Sequence, residues 1–166
     1  YVQSWCLVRG TMVDASPIRE VWINETLFGV SLNNSFEERV TLEPGPATIT
    51  VRVIDSFGLE GIYSVNVIVD DTSPPLTVDF PPTPYITDLT AVTVTGSTEP
   101  GAEVLLACDG ITYTVTAAPD GGFSSQVALS PDSINYITVV ASDEAGNTSE
   151  TIMLEVTHDD DPFYVK

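Results

Sequence analysis

The chain has 166 residues, 43% of them hydrophobic, and a formal net charge of −19 that comes from 24 acidic and only five basic side chains. Such a surface repels nucleic acid and anionic lipid, because phosphate binding requires lysine and arginine. No apolar run approaches the ~20 residues of a membrane-spanning helix. Composition therefore argues against nucleic-acid binding and membrane insertion, and it suits contact with water, high salt or divalent cations.

Residues 1–71 carry the landmarks of a module that recurs in the second half of the chain. Matching glycine, phenylalanine, isoleucine and aspartate positions follow one another at a nearly constant separation. The pairs are Gly10 and Gly96, Phe36 and Phe123, Ile49 and Ile137, and Asp55 and Asp143. This repetition predicts two copies of one ancestral module. In this alignment Tyr1 falls near Thr87, so we expect the first strand of the first module to be missing.

Residues 72–75 read as a linker, because the sequence Thr-Ser-Pro-Pro stiffens the backbone. The second module is predicted over residues 76–161. Residues 162–166 form a tail or the start of a next strand, since residues 160–166 mirror the segment that opens the second module. Two explanations stay open: the tail binds a neighbouring module or an identical subunit head to tail, or the sequence is a piece of a longer array that is cut slightly out of register.

The second module alternates apolar and polar residues with a period of two, rich in Val, Ile and Thr. Turn residues such as Asp120-Gly121-Gly122 separate the alternating runs, and no run has a helical period with caps. Predicted strands cover residues 76–80, 91–96, 111–116, 136–143 and 152–156, with a further strand through Phe123. The fold class predicted is all-β, as two tandem immunoglobulin-like β-sandwich modules.

Three segments of the second module resemble the bacterial immunoglobulin-like (Ig-like) repeats. They are residues 95–102 (Thr-Gly-Ser-Thr-Glu-Pro-Gly-Ala), residues 120–124 (Asp-Gly-Gly-Phe-Ser) and residues 141–149, which contain Asp-Glu-Ala-Gly-Asn. The resemblance covers residues 89–157. Such repeats occur in cell-surface adhesins, surface-layer proteins and accessory domains of secreted glycosidases. The resemblance implies an extracellular location and structural or adhesive work. In the first module, residues 55–59 depart from the Asp-x-x-Gly-Asn loop.

Catalysis finds little support in the sequence. His158 is the only histidine, and its place at a module end predicts a solvated linker residue. No Gly-x-Ser-x-Gly elbow, phosphate loop or dinucleotide fingerprint occurs. Acidic residues are so frequent that no pair stands out as a glycosidase site. We therefore expect no enzymatic activity.

Cation binding is the sharpest hypothesis that the acidic residues support. In a seven-stranded sandwich three loops share one end of the second module, and the linker enters at that end. Calcium takes about six to eight oxygen ligands, so it would relieve repulsion between carboxylates there and stiffen the junction. The proposed ligands are Asp70, Asp71, Glu99, Asp120, Asp143 and Asn147. The alternative is that these residues only build turns, in which Asp and Asn bond the backbone.

Two functions of different classes remain open at this point. The leading one is a structural or adhesive spacer of an extracellular, cell-surface stalk, surface layer or filament, with a surface glycan or protein as receptor. The second is an ancillary carbohydrate-binding region of a secreted enzyme. A row of exposed aromatic side chains on one sheet face would favour the second, although aromatics at alternating strand positions more often belong to a core. The aromatics in question are Trp5, Trp22, Tyr63, Tyr113 and Tyr136.

Overall fold

The computed structural model describes residues 4–29 and 35–161, and all regular elements in these ranges are β-strands. The all-β prediction is thereby confirmed. The chain divides into two compact units, Tyr1–Asp71 and Thr72–Lys166, called the first unit and the second unit below. The finer boundaries of a linker at 72–75 and a module at 76–161 stay predictions. The tail at 162–166 lies outside the described residues.

Residues 4–29 and 35–71 of the first unit contain six strands in two sheets. They are β1 (Trp5–Thr11), β2 (Ile18–Ile23), β3 (Thr26–Phe28), β4 (Ser35–Thr41), β5 (Gly45–Asp55) and β6 (Glu60–Val69). One sheet pairs β1 with β4, and the other has the order β3-β2-β5-β6. All of these pairings are antiparallel.

The second unit repeats this arrangement and adds two strands in front of it. Its strands are β7 (Leu76–Phe80), β8 (Tyr85–Thr87), β9 (Ala91–Thr98), β10 (Glu103–Cys108), β11 (Ile111–Thr116), β12 (Gly122–Ala128), β13 (Ile134–Ser142) and β14 (Ile152–His158). The sheets have the orders β12-β9-β7 and β11-β10-β13-β14-β8. The pairing of β8 with β14 is parallel.

The register of the strands matches between the two units. Gly10 lies opposite Phe36 in the pair β1–β4, as Gly96 lies opposite Phe123 in the pair β9–β12. Strands β1 to β6 therefore correspond in order to β9 to β14. The additional strands β7 and β8 extend one sheet each, β7 beside β9 and β8 beside β14.

Each unit encloses its own apolar core between its sheets. In the second unit the alternate residues of the central strands are fully buried, such as Val94, Leu106 and Val139. The first core is built around Val21, Ile23 and residues packed against them. Because side chains alternate between the two faces of a strand, the period of two in the sequence places these residues inside.

Two strands of the second unit are absent from the sequence-based prediction. Strand β10 is nearly continuously apolar at Val104-Leu105-Leu106-Ala107-Cys108, so it lacks the alternation that marks a half-exposed strand. Strand β8 has only three residues and follows a segment with three prolines. The sequence of β10 therefore shows no alternation, and β8 is too short to show one.

Candidate functional site: the acidic loop ends

Three acidic loops lie at one end of the second unit. The β9–β10 loop carries Glu99, the β11–β12 loop carries Asp120, and the β13–β14 loop carries Asp143. The backbone N–H of Thr98 donates to the carbonyl of Gly121 at 2.9 Å and joins the first two loops. The start of β10 lies beside the end of β13, which brings the third loop to the same end.

Asp143 closes its own loop through both carboxylate oxygens. Its Oδ1 accepts the backbone N–H of Asn147, and its Oδ2 accepts the side-chain Nδ2–H of Asn147, each at 2.8 Å. Gly146 has a positive φ of 88°, a conformation that glycine adopts without strain. A carboxylate has about four lone-pair sites, so these bonds leave Asp143 further capacity to accept.

Asp120 and Glu99 stand at exposed turns. Oδ1 of Asp120 accepts the backbone N–H of Gly122 at 3.0 Å, which is the hydrogen bond of an Asx turn. The carbonyl of Glu99 accepts the N–H of Ala102 at 3.1 Å, and the Glu99 side chain is exposed. Turn formation therefore accounts for Asp120 without any cation, while the carboxylate of Glu99 faces solvent.

Asp70 and Asp71 close the first unit after β6; Asp70 is half-buried and Asp71 is exposed. Among the residues that the structure describes, one set of three His, Cys, Asp or Glu side chains places its ligand atoms within 4.8 Å of one another. That set is Asp132, His158 and Asp160, and it shares no residue with the predicted cation ligands. The six-residue cation site stays a prediction.

His158 lies at the other end of the second unit, and the prediction of a solvated linker residue is wrong for it. The side chain is 2% exposed, because β14 runs through His158 and its N–H bonds the carbonyl of Ser133. Nδ1 accepts the backbone N–H of Asp132 at 3.1 Å. A metal at Nδ1 would displace this bond. A side-chain hydrogen bond between Asp160 and Asp132, together with the negative charge of Asp132, raises the pKa of Asp160.

The first unit has a loop equivalent to that of Asp143, built on Asp55. This carboxylate is 3% exposed and accepts the backbone N–H groups of Phe57 at 2.9 Å and Leu59 at 2.8 Å, and the hydroxyl of Ser16 at 2.9 Å. Burial opposes ionisation, yet these hydrogen bonds outweigh it and lower the pKa of Asp55. The sequence change from Asn to Leu59 leaves the loop closure intact, since the backbone supplies the donors.

The aromatic side chains do not form one row. Tyr113 packs against the second core and its hydroxyl accepts the N–H of Ala128. Tyr136 and Tyr63 are 50% and 70% exposed, in different units. Trp22 borders a polar groove of about 540 Å³ with Arg52, whose guanidinium lies 4.9 Å from the ring centroid.

The second unit matches a described protein family. The family model of glucodextranase, domain B, matches residues 74–159, which is more than half of the chain. The chain belongs to the glucodextranase domain B family. The predicted Ig-like character is confirmed at this level, whereas the sequence resemblance did not single out this family.

One of two solved structures similar to the chain supports its fold. The fibronectin(III)-like modules of Clostridium thermocellum CbhA superpose with a TM-score of 0.66 at 13% identity, over 99% of this chain and 92% of that one. An adhesin of an Antarctic bacterium, described as Ca²⁺-stabilised and ice-binding, gives a TM-score of 0.42 at 22% identity and covers 95% of this chain and 44% of that one. At these identities the likeness to the CbhA modules shows the fold alone.

Two further findings concern the whole sequence and the described residues. No curated protein sequence matches it. Among residues 4–29 and 35–161 no helix has the length and apolar character needed to cross a bilayer. Neither finding assigns a location or an activity.

Proposed function

We propose that the chain is a non-catalytic, extracellular spacer that does structural or adhesive work in a surface stalk, surface layer or filament. The observation that carries the proposal is the way its loops close on themselves. Asp143 closes its own loop with both carboxylate oxygens, and Asp55 and Asp120 each do so with Oδ1. Oδ2 of Asp55 accepts the hydroxyl of Ser16 and so ties this loop to the β1–β2 loop. These carboxylates therefore hold the loops at the ends of each β-sandwich in one conformation. A spacer that transmits force between neighbouring modules needs loops of this kind.

The acidic surface supports the same role in an exported protein. A formal net charge of −19 keeps the chain soluble and repels neighbouring anionic surfaces. Membership of a family named after domain B of a glucan-active enzyme also fits an accessory module beside other domains. The partners proposed are neighbouring Ig-like modules or identical subunits, and a surface glycan or protein.

We further propose that calcium stiffens the junction through Asp70, Asp71, Glu99, Asp120, Asp143 and Asn147. Thermal unfolding should be compared in calcium and in chelator at matched ionic strength. A specific site contributes about 2.7 kcal/mol at one hundred times its Kd, and Asp120→Asn combined with Asp143→Asn should remove this gain. Asp132→Asn, at the other end of the second unit, is the matched control and should keep it. Coincident melting curves in calcium and chelator would reject the calcium site.

One observation favours the alternative function, a carbohydrate-binding region of a secreted enzyme. Trp22 and Arg52 border a polar groove, as a sugar site would require. However, the indole N–H of Trp22 already donates to Glu20 at 3.0 Å, and Arg52 covers its ring. We therefore expect no retardation of the chain in gels containing a soluble glucan.

Affinity electrophoresis separates the two functions. Retardation that Trp22→Ala abolishes would overturn the spacer proposal and support the carbohydrate-binding alternative. Trp5→Ala is the matched control, because the guanidinium of Arg39 also stacks on Trp5, at 3.9 Å, and Trp5 is absent from that groove.

A further inference from the structure

The first unit contains an apolar groove of about 710 Å³ between its two sheets. Strand β1 lines one side with Cys6 and Val8, and strand β6 lines the other with Tyr63 and Val65. Within residues 4–29 and 35–161 no strand pairs with β1 beyond β4, or with β6 beyond β5. Both sides of the groove therefore end in strand edges whose backbone groups lack a strand partner, which is where β-strand addition takes place.

The groove exposes side chains that belong to the core face of the sheet. Val65 lies opposite Ile49, whose side chain is 4% exposed in the core, so both point to the same face. Nevertheless Val65 is 41% exposed and Tyr63 is 70% exposed. A strand that turns apolar side chains inward is thus left uncovered on its inner face.

The second unit shows what covers the corresponding face. Leu154 lies opposite Ile137, as Val65 lies opposite Ile49, and Leu154 is only 2% exposed. There β7 pairs antiparallel with β9, and β8 pairs parallel with β14. Leu76, Val78 and Tyr85 of these two strands pack against the second core. One segment, residues 76–87, therefore closes both edges that remain unpaired in the first unit.

The equivalent glycines Gly10 and Gly96 show how closely a covering strand approaches β9. A Cβ at Gly96 would overlap the backbone carbonyl oxygen of Thr77 in β7 and the ring of Phe123. A Cβ at Gly10 would overlap the ring of Phe36, and no atom of a covering strand lies within reach among the described residues. Both units therefore have glycine at this position. Among the described residues a strand passes over Gly96 in the second unit, and none passes over Gly10 in the first.

We propose that the groove of the first unit binds a leading β-strand of this module type, supplied from outside residues 1–166. The strand lies antiparallel to β1 and continues parallel to β6. Its register follows from the second unit, where Val78 faces Gly96 and Leu76 faces Thr98. The residue equivalent to Val78 then lies opposite Gly10, and its side chain and that of the Leu76 equivalent cover the groove. This strand-binding site does not depend on whether the protein is a spacer or a glycan-binding region.

A peptide with the sequence of residues 74–88 is the probe, because those residues are the leading strands of the second unit. Labelled peptide is titrated into the intact 166-residue chain and followed by fluorescence anisotropy. We expect saturable binding that is at least about tenfold weaker for a peptide carrying Leu76→Asp and Val78→Asp, since both side chains enter the groove.

Matched variants of the chain locate the binding. Val65→Asp and Tyr63→Asp put a charge on the groove face of β6 and should each weaken binding about tenfold or more. Ser64→Asp lies on the opposite face of the same strand, where Ser64 is exposed, outside the groove and outside the stretch that would pair with the bound strand, and it should leave binding within about twofold. Because Tyr63 is so exposed, Tyr63→Asp decides the question if Val65→Asp fails to fold.

Three outcomes would overturn the proposal. The first is the absence of saturable binding. The second is equal binding in Tyr63→Asp and Ser64→Asp, which would mean that the peptide displaces β7 of the second unit or binds elsewhere. The third is self-association of the intact chain that Tyr63→Asp abolishes in sedimentation, because a second copy would then occupy the groove.

Discussion

The two units share one β-sandwich plan and differ in a single segment. In the second unit residues 76–87 cover the core and make β9 and β14 inner strands of their sheets. In the first unit the corresponding strands β1 and β6 are edge strands among the described residues. The inward side chains of β6 are exposed as a result, although their pattern is that of a buried face.

This difference teaches that exposure follows from topology as much as from composition. Val65 and Leu154 occupy equivalent positions and are both aliphatic, yet 41% of one and 2% of the other is exposed. An exposed apolar strand face of this kind marks a binding surface or an aggregation hazard. Variants placed at equivalent positions of the two units therefore test the comparison directly.

The largest expected effect is at the paired glycines. Gly96→Ala should destabilise the second unit by about 3 kcal/mol, because the added methyl group meets backbone from β7 as well as a ring. Gly10→Ala should cost the first unit only about 1 kcal/mol, since the ring of Phe36 can move toward the groove.

Urea denaturation separates the two effects. Both tryptophans, Trp5 and Trp22, lie in the first unit, so their fluorescence reports that unit, while far-ultraviolet dichroism reports both. Gly96→Ala should shift the dichroism transition and leave the tryptophan transition in place. Equal losses for the two variants would break the comparison, because β7 would then add no steric constraint.

A smaller, pH-dependent effect is expected at Asp55. The hydrogen bonds of its loop lower the pKa of the carboxyl group in the folded state. The ionised form therefore stabilises the first unit above the usual aspartate pKa of about 3.9, and this contribution is lost as pH falls through the lower folded pKa.

Asp55→Asn should lower the melting temperature of the first unit near neutral pH by less than Gly96→Ala lowers that of the second. The difference from the parent chain should narrow as pH falls below about 3.9, where Asp55 of the unfolded chain takes up a proton, and should stop changing below the lower pKa of the folded chain. Melting followed by tryptophan fluorescence across this range checks it. A difference that stays constant with pH would mean that the charge of Asp55 plays no part in stability.

Much of the fold is predictable from the sequence because the strands are amphipathic. The alternation in β9, β11 and β13 marks them, and the turn glycines and aspartates mark their ends. Strand β10 escapes detection because both of its faces are apolar. Strand β8 escapes because three residues carry no period.

The site residues are harder to predict, because a side chain's partners depend on contacts distant in sequence. The period of two that buries Leu154 and Val156 also places His158 on the inward face of β14. What the local sequence does not indicate is its partner, because the N–H that bonds its Nδ1 comes from Asp132, on the loop before β13. Asp120 is foreseeable as a turn residue, because its bond to Gly122 spans two residues. The exposure of Val65 depends on whether another strand covers it, and the periodicity of β6 does not indicate this.

Amide hydrogen exchange, resolved by residue with NMR, tests the central claim that β1 and β6, edge strands among the described residues, are the equivalents of the covered strands β9 and β14. The amides of β1 and β6 that point away from β4 and β5 should exchange about tenfold or more faster than the equivalent amides of β9 and β14, which bond to β7 and β8. Addition of the residue 74–88 peptide should slow exchange in β1 and β6 alone. Equal protection of the equivalent strands in the isolated chain would contradict the account.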